Sequence, residues 1–397
     1  MPGKIRIGIV GMGAAGWAFV PAIRGNPAFE LAAVAEPVAE MRETVAAETG
    51  VAVHPDLASM LRLSDLDAVY IATPTELHPQ HVAEVCAAKK HVLTEKPMAI
   101  RVDEAQAMIE AAARAGVVLQ VGHSHSYDLP IARMREIVQS GALGRVRMIH
   151  TWNFTDWMLR PRRAAELDVG QGGGVTYRQG AHQVDILRFL GGGLVKSVRA
   201  TTFDWDERRR SIGAHTIYLN FADGTAATAV YNGYGHFAGA ELTGGVGEWG
   251  EAARPRGAQK PAAALSPEQE LAAKRKRARH AIPASAPHQP HFGLTLVSCE
   301  RGDIRQSPDG LLVYSERGRE EIALPADRSP RDRVIAEFAD AIAGKPVTHT
   351  GRWGLANLEV CAAAIESSRT AKEIELKHQV ATNDDVIIGP ARSAVTR

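Results

Sequence analysis

Two short stretches hold residues whose types and spacing could do chemistry on their own. In IGIVGMGAAG, Gly11, Gly13 and Gly16 stand as G-x-G-x-x-G directly after an apolar strand and before the helical stretch AAGWAFVPAIRG. Gly11 suits a tight turn, Gly13 lets backbone N–H groups approach a pyrophosphate, and Gly16 lets helix and strand pack closely. Met12, Ala14 and Ala15 complete that loop and share the expected cofactor contact. Further on, Glu36 closes ELAAVAE, at the position of the acid that accepts hydrogen bonds from an adenosine ribose. Its charge would repel a 2′-phosphate, so NAD is expected and NADP is disfavoured, while Arg24 and Arg42 lie near enough to leave dual use open. The second stretch is KHVLTEKP, where Glu95-Lys96-Pro97 ends a strand. A lysine at the carboxyl end of a parallel strand sits where open α/β sheets place ligands, and it can stabilise negative charge forming on a reacting hydroxyl.

The elements that must position these groups change character along the chain. From Lys4 to about Val121, the apolar runs KIRIGIV, FELAAVAE, DAVYIA, KHVLTE and VVLQVG alternate with Ala-rich helical stretches, which predicts a parallel sheet wrapped by helices. After Gly144, RVRMIHTW, KSVRATTFD, AHTIYLNF, TAATAVYN and FGLTLVSC follow with few helices between them, and the ADG at 222–224 is a hairpin signal. An α/β protein is therefore expected: a dinucleotide-binding domain over 1–125, a second α/β domain on an open, largely antiparallel sheet over 126–380, and a tail over 381–397. Helical periodicity returns in RDRVIAEFADAIAG and GRWGLANLEVCAAAIESSRTA, which should pack on a sheet or back on the first domain. The stretch 251–290, rich in Ala, Pro and basic residues, reads as an insertion holding one helix with Ser266 at the N-cap and Pro267 at N1. A solvated surface excursion is the first expectation for it, with a cover over a site or a subunit contact as alternatives.

Composition excludes several function classes. With 46 Lys+Arg against 45 Asp+Glu in 397 residues, the formal charge of +1 gives no electrostatic case for nucleic acid or an anionic membrane as partner. Three scattered cysteines, Cys86, Cys299 and Cys361, make neither a disulfide framework nor a Cys-rich zinc site, and the cytoplasm is the expected compartment. Neither a leader peptide nor a membrane helix is read from the sequence.

The glycine turn, Glu95-Lys96-Pro97 and IATPTELH (Ile71 to His78) together resemble the Gfo/Idh/MocA family of NAD(P)-dependent oxidoreductases. That resemblance implies a Rossmann domain followed by an α/β domain whose open sheet often mediates oligomerisation, so a homo-oligomer is expected. It implies that Lys96 contacts both substrate and nicotinamide, that Glu95 touches the nicotinamide ribose, and that Thr73, Pro74 and His78 line the cofactor; His78 could equally cap the helix that follows. The family's second motif maps to GGGVTYRQGAHQVD, Gly172 to Asp185. His182 falls in the general acid/base position, and Arg178 stands one helical turn earlier where the family usually carries an acid. An arginine there cannot relay a proton but can grip a carboxylate, which points to a carboxylated substrate; a structural ion pair is the alternative. Tyr177 beside it is taken with the substrate group. Asp185 is read as a substrate-side group that orients His182, or as a local cap. In DWMLRPRRAAELD, Arg160 above all, and Arg162 and Arg163, could place a second cation at the pocket or form a solvated loop. GHSHSYD brings His123, His125 and Tyr127 above the sheet's carboxyl edge, and no metal is expected there.

With YNGYGHF (Tyr231 to Phe237), the histidine segment is similar to the branch of bacterial phthalate dihydrodiol dehydrogenases. The function so implied is NAD-dependent oxidation of a carboxylated cyclic diol, phthalate 4,5-cis-dihydrodiol going to 4,5-dihydroxyphthalate. A sugar or inositol dehydrogenase of the same family, a non-catalytic NAD-dependent sensor, and a glycosidase-like enzyme using NAD transiently are the alternatives.

Overall fold

The structure, a computed structural model, describes residues 3–63, 65–253, 265–279, 281–283, 285–325 and 329–382. The expected tail thus lies almost wholly outside the described residues, as does part of the insertion.

The first half forms a six-stranded parallel sheet: β1 (Ile5–Val10), β2 (Phe29–Ala35), β3 (Ala52–His54), β4 (Ala68–Ile71), β5 (His91–Thr94) and β6 (Leu119–Val121). Its strand order is β3-β2-β1-β4-β5-β6. Order reverses between β1 and β4, the place where open α/β sheets bind ligands at their carboxyl ends. Ile7, Ile9, Val69, Tyr70 and Leu93 are wholly buried, as strands covered on both faces require. Hydrogen bonds run on past the last residues of the strands, from Gly11 N to Ala35 O (2.9 Å), Ala72 N to Val10 O (2.9 Å), Glu95 N to Ile71 O (2.9 Å) and Gly122 N to Thr94 O (2.7 Å). These bonds fix Gly11, Ala72, Glu95 and Gly122 in one row along the sheet's edge.

The second half forms a nine-stranded sheet from β7 (Val146–Phe154), β8 (Val195–Phe203), β9 (Ala214–Phe221), β10 (Ala226–Asn232), β11 (Leu294–Cys299), β12 (Gly302–Ser307), β13 (Gly310–Ser315), β14 (Gly318–Ala323) and β15 (Ile374–Glu375). The order is β14-β13-β12-β11-β7-β10-β9-β8-β15, and only the β7–β10 pair is parallel. The ADG turn joins β9 to β10, with Gly224 at φ +87° and Asp223 Oδ1 accepting from Thr225 N at 3.0 Å. Ala227, Ala229 and Tyr231 alternate inward along β10 against the helix Gly180–Leu190.

The two C-terminal helices pack on both halves. Pro330–Ile342 buries Val334, Ile335 and Phe338 in the first sheet's core, with the Phe338 ring stacked on Phe29 at 6.0 Å. Gly351–Thr370 sends Leu355 and Leu358 to the first core, and Val360 and Ala364 to the second. Both halves therefore share buried apolar surface, which holds the cleft between them in register.

Candidate active site

One wall of the cleft is the carboxyl edge of the parallel sheet. Gly11 has φ +91°, and a Cβ there would lie 2.9 Å from Ala72 O, so both backbone shape and space demand glycine. A Cβ on Gly16 would collide with the carbonyl oxygen of Gly11, whereas one on Gly13 would meet open space. That pattern leaves room over Gly13, the N-cap of the helix Ala14–Gly25, for a phosphate at the helix's positive end. Glu36 is buried; its Oε2 accepts from Met12 N and its Oε1 from Val38 N, both at 3.0 Å. The carboxylate is fixed with acceptor capacity left for ribose hydroxyls. Arg42 spends its guanidinium on the carbonyls of Glu36 (3.1 Å) and Pro37 (2.8 Å), and Arg24 donates to Thr49 O. These residues fit a dinucleotide with an unphosphorylated ribose.

Further along the edge, Thr73 Oγ1 lies 3.0 Å from His81 Nδ1, and Pro74 leads into the short turn Thr75–Leu77. His78 is not directed into the cleft: its Nδ1 and Nε2 lie 3.0 Å from Pro97 O and 2.9 Å from Thr73 O. It ties the Thr73 loop to the loop after Lys96, and burial pushes its pKa down to about 4, so it stays neutral. Tyr70 OH donates to Glu95 Oε1 at 2.6 Å, and Lys96 N donates to Glu95 Oε2 at 3.2 Å.

The other wall comes from the second half. Its helix Gly180–Leu190 is pinned by Gln183, whose Nε2 donates to Val230 O (3.0 Å) and whose Oε1 lies 3.0 Å from His215 Nε2. His182 therefore projects from the first helical turn. Lys96 Nζ reaches across the cleft and donates to Arg178 O at 3.2 Å, bringing the Glu-Lys-Pro and histidine motifs together. Burial pushes the Lys96 ammonium down to about 8, against the pull of Glu95 and Glu248. Burial also pushes His182 well below the usual imidazole range, and the positive charges of Lys96 and His125 act in the same direction. His182 Nδ1 has no hydrogen-bond partner among the described residues. The pair is thus a neutral imidazole beside a cationic amine, a proton acceptor next to a group that stabilises an oxyanion.

Arg178 Nη1 donates to Thr75 Oγ1 at 2.8 Å, while Nε and Nη2 are buried without partners among the described residues. Nearby Glu76 accepts from Arg163 Nη1 at 2.6 Å, and Glu166 is paired with Lys274. Two buried, unpaired guanidinium donors are costly unless an acceptor meets them.

Several expected residues stand elsewhere. Asp185 is a correction. It is wholly buried, and its Oδ1 accepts from Trp353 Nε1 (2.7 Å) and Asn357 Nδ2 (3.1 Å), so it faces the helix Gly351–Thr370 and does not hold His182. The i,i+3 spacing leaves the two residues on neighbouring lines of the helix, but the Trp353 and Asn357 donors draw the carboxylate to the other helix. Tyr177 lines a small cavity with Met98, His123 and Leu358. Arg160 pairs with Asp156 at 2.6 Å yet lies within electrostatic reach of Glu248. Arg162 lies over the Trp157 ring at 4.0 Å, and Arg163 is spent on Glu76. In the described part of the insertion, the helix Pro267–Ala278, N-capped by Ser266 as expected, buries no residue but packs against the helix Ala14–Gly25. Lys274 pairs with Glu166, Glu270 with Arg209 (2.7 Å), and Arg279 with Glu48 (2.6 Å). Opposite charges on both halves thus tie this solvated helix across the cleft.

Sequence reasoning missed Glu248, Trp249, Phe292 and Arg331. The His182 ring packs on Phe292 at 4.7 Å and edge-on to His125 at 4.6 Å. Trp249 lies 5.0 Å from the His125 ring, with the Arg331 guanidinium 4.7 Å above it. His125 Nδ1 is 2.9 Å from Asp128 Oδ2; although burial opposes charge, Asp128 and Glu248 hold His125 up at about 9.

Residues 5–123 match the oxidoreductase family with NAD-binding Rossmann fold of the Gfo/Idh/MocA group, and residues 131–242 match the GFO/IDH/MocA C-terminal domain. The chain belongs to the Gfo/Idh/MocA oxidoreductase family. This family member is similar to 1-carboxy-3-chloro-3,4-dihydroxycyclohexa-1,5-diene dehydrogenase of Comamonas testosteroni, 37% identical over 92% of this chain and 95% of that one. It is 27% identical to scyllo-inositol 2-dehydrogenase (NAD(+)) of Bacillus subtilis strain 168, over 62% of this chain and 73% of that one. A crystal structure from Bordetella bronchiseptica RB50 superposes with a TM-score of 0.86 at 39% identity, over 94% of this chain and 100% of that one. The Gfo/Idh/MocA chain is thus an NAD-dependent oxidoreductase with a Rossmann half and a mostly antiparallel second half. Among the described residues no helix is long and apolar enough to cross a membrane.

Proposed function

We propose that this chain is a dehydrogenase of a carboxylated cyclic diol, with phthalate 4,5-cis-dihydrodiol and its monocarboxylated counterparts as the substrates to test first. The observation that carries the reading is Arg178: a guanidinium whose Nε and Nη2 are buried without partners among the described residues, at the end of the helix Gly174–Arg178 that precedes the helix of His182, and hydrogen-bonded to Thr75. A carboxylate would satisfy both donors at once in the bidentate geometry that arginine favours. The Comamonas testosteroni relative, named for a carboxylated cyclohexadiene diol, supports the same substrate class.

The glycine turn and Glu36 would hold NAD, which would supply the hydride acceptor for the carbinol carbon. Lys96 donates a hydrogen bond to the carbinol oxygen and stabilises the charge that forms on it. His182, held neutral by burial and by neighbouring cations, takes the hydroxyl proton. A cyclohexadiene diol oxidised in this way gives a hydroxyketone that tautomerises to a catechol, and aromatisation draws the reaction forward.

The test is NADH formation by the purified chain from NAD, and separately NADP, with carboxylated cis-dihydrodiols beside a panel of inositols and sugars. Reduction of NAD with the carboxylated diols alone is expected. Efficient turnover of neutral polyols instead would favour an inositol-type dehydrogenase, and cofactor binding without any turnover would favour a sensor.

A homo-oligomer is part of the same reading. Met148 (46% exposed), Trp152 (43%) and Tyr218 (40%) lie on one face of the nine-stranded sheet, too apolar for a face left to water. We infer that a second copy covers it. Trp152→Glu should lower the mass measured by light scattering, and an unchanged mass would contradict the inference.

A further inference from the structure

Glu248 belongs to no motif, yet it stands inside the cleft. The tight loop that carries it is closed by the Val246–Ala252 bridge, by Glu251 O accepting from Gly247 N (2.8 Å), and by Glu251 Oε2 accepting from Trp249 N (2.9 Å). Trp249 fixes the loop against His125 and Arg331, so the carboxylate is delivered by a braced turn. It keeps 23% of its side chain open and lies within electrostatic reach of Lys96 and Arg160.

Its relation to His125 is unusual. His125 is wholly buried, and on the Nδ1 side Asp128 closes to 2.9 Å, as a counter-ion does. On the Nε2 side, Glu248 Oε1 stops at 3.7 Å, beyond hydrogen-bond reach, and Nε2 has no partner among the described residues. No oxygen fits between the two atoms, and His125 Nε2 is closed to an incoming group, whereas Glu248 keeps open carboxylate surface with which to accept a hydrogen bond. The His125 ring against which Glu248 stands lies edge-on to His182 at 4.6 Å, so this carboxylate stands near the group expected to take the carbinol proton.

We propose that Glu248, braced beside His125, accepts a hydrogen bond from the hydroxyl next to the one that is oxidised, and so selects vicinal diols over single alcohols. The inference rests on the carboxylated-diol reading above and deepens it. It also orients the substrate, because Glu248 repels a carboxylate and tolerates only the hydroxyl-bearing end. The acid end is then left to Arg178, and Lys96 lies within reach of both charges.

The test is titration calorimetry on the full chain saturated with NAD, using 3,4-dihydroxybenzoate and 4-hydroxybenzoate, which share the carboxylate and differ by one hydroxyl. The wild-type chain should bind the dihydroxy probe about tenfold more tightly, the weight of one charge-assisted hydrogen bond. Glu248→Gln and Glu248→Asp, the second keeping the charge but drawing it back, should each reduce that preference to within about twofold while leaving 4-hydroxybenzoate affinity nearly unchanged. Equal losses on both probes would make Glu248 a structural counter-ion, and a retained preference would remove it from the site; either result overturns the proposal. A wild-type chain that binds both probes without preference overturns the vicinal-hydroxyl inference alone. One that binds neither overturns the carboxylated-diol reading, and this inference falls with it.

Discussion

The two walls of the cleft are built from different materials. The cofactor wall is mostly backbone: glycines that a Cβ would break, strand ends in one hydrogen-bonded row, and the Glu36 carboxylate, held by two main-chain N–H groups. The opposite wall is almost entirely side chain: Arg178, His182, Glu248 and Phe292 converge from separate segments, with Lys96 and Arg331 reaching over from elements packed on the first sheet. A wall of backbone recognises what every member of an NAD-binding family shares, whereas a wall of long charged side chains can be respecified by single substitutions.

Lys96→Ala should separate the walls most sharply. Loss of a group that stabilises developing charge should lower kcat by about 10²–10³-fold, while NAD affinity measured by calorimetry stays within about threefold. Full activity in this variant would remove Lys96 from the chemistry.

Gly16→Ala should do the reverse. Its Cβ would collide with Gly11 O and displace the turn, and NAD affinity should fall by about 100-fold, as ångström-scale misplacement does at a built site. Unaltered NAD binding would mean that the turn is not what holds the pyrophosphate.

The pH profile sharpens the contrast. Lys96 must be charged to stabilise an oxyanion and its pKa is held at about 8, so kcat/KM should be full below that value and fall about tenfold per unit above it. His182 sits far below the usual range and should leave no limb near pH 6 to 7. A rising limb there would mean that His182 titrates normally.

The smallest effect is expected where the walls are strapped together. Glu166→Gln removes the partner of Lys274 and should speed NAD dissociation by a few-fold, more at low salt. Burial alone would raise the Glu166 pKa, but Lys274 and Arg162 hold it down at about 2. The strap's contribution is therefore complete above the ordinary carboxylate range and lost as pH falls toward 2. Stopped-flow cofactor release checks both points.

The same contrast explains what the sequence revealed. Gly11, Gly13, Gly16 and Glu36 were legible because a backbone site needs a contiguous motif with fixed spacing, and Lys96 because it closes a strand. Both sheets were legible from alternating or continuous apolar runs. Glu248 was not, since nothing in GGVGEWGE distinguishes a carboxylate folded inward from a solvated turn. Arg331 opens a helix whose charges look like an exposed face, and only the tertiary fold sets it over Trp249. Asp185 shows the opposite error: its spacing from His182 suggested a partnership, but the helix is packed on both sides and the aspartate answers to Trp353 and Asn357. The helix Pro267–Ala278 had its caps legible and its docking not, because its partners Glu48, Glu166 and Arg209 are scattered along the chain.

The central claim, that Arg178 reads a substrate carboxylate beside His182, is tested most directly by kcat/KM for a carboxylated cis-dihydrodiol and for its methyl ester. The measurement should be made on the wild-type chain and on Arg178→Gln. The account predicts that the wild type prefers the free acid by about 100-fold, and that the variant loses most of this preference while keeping its rate on the ester. A preference that survives the substitution, or that is absent from the wild type, would contradict it.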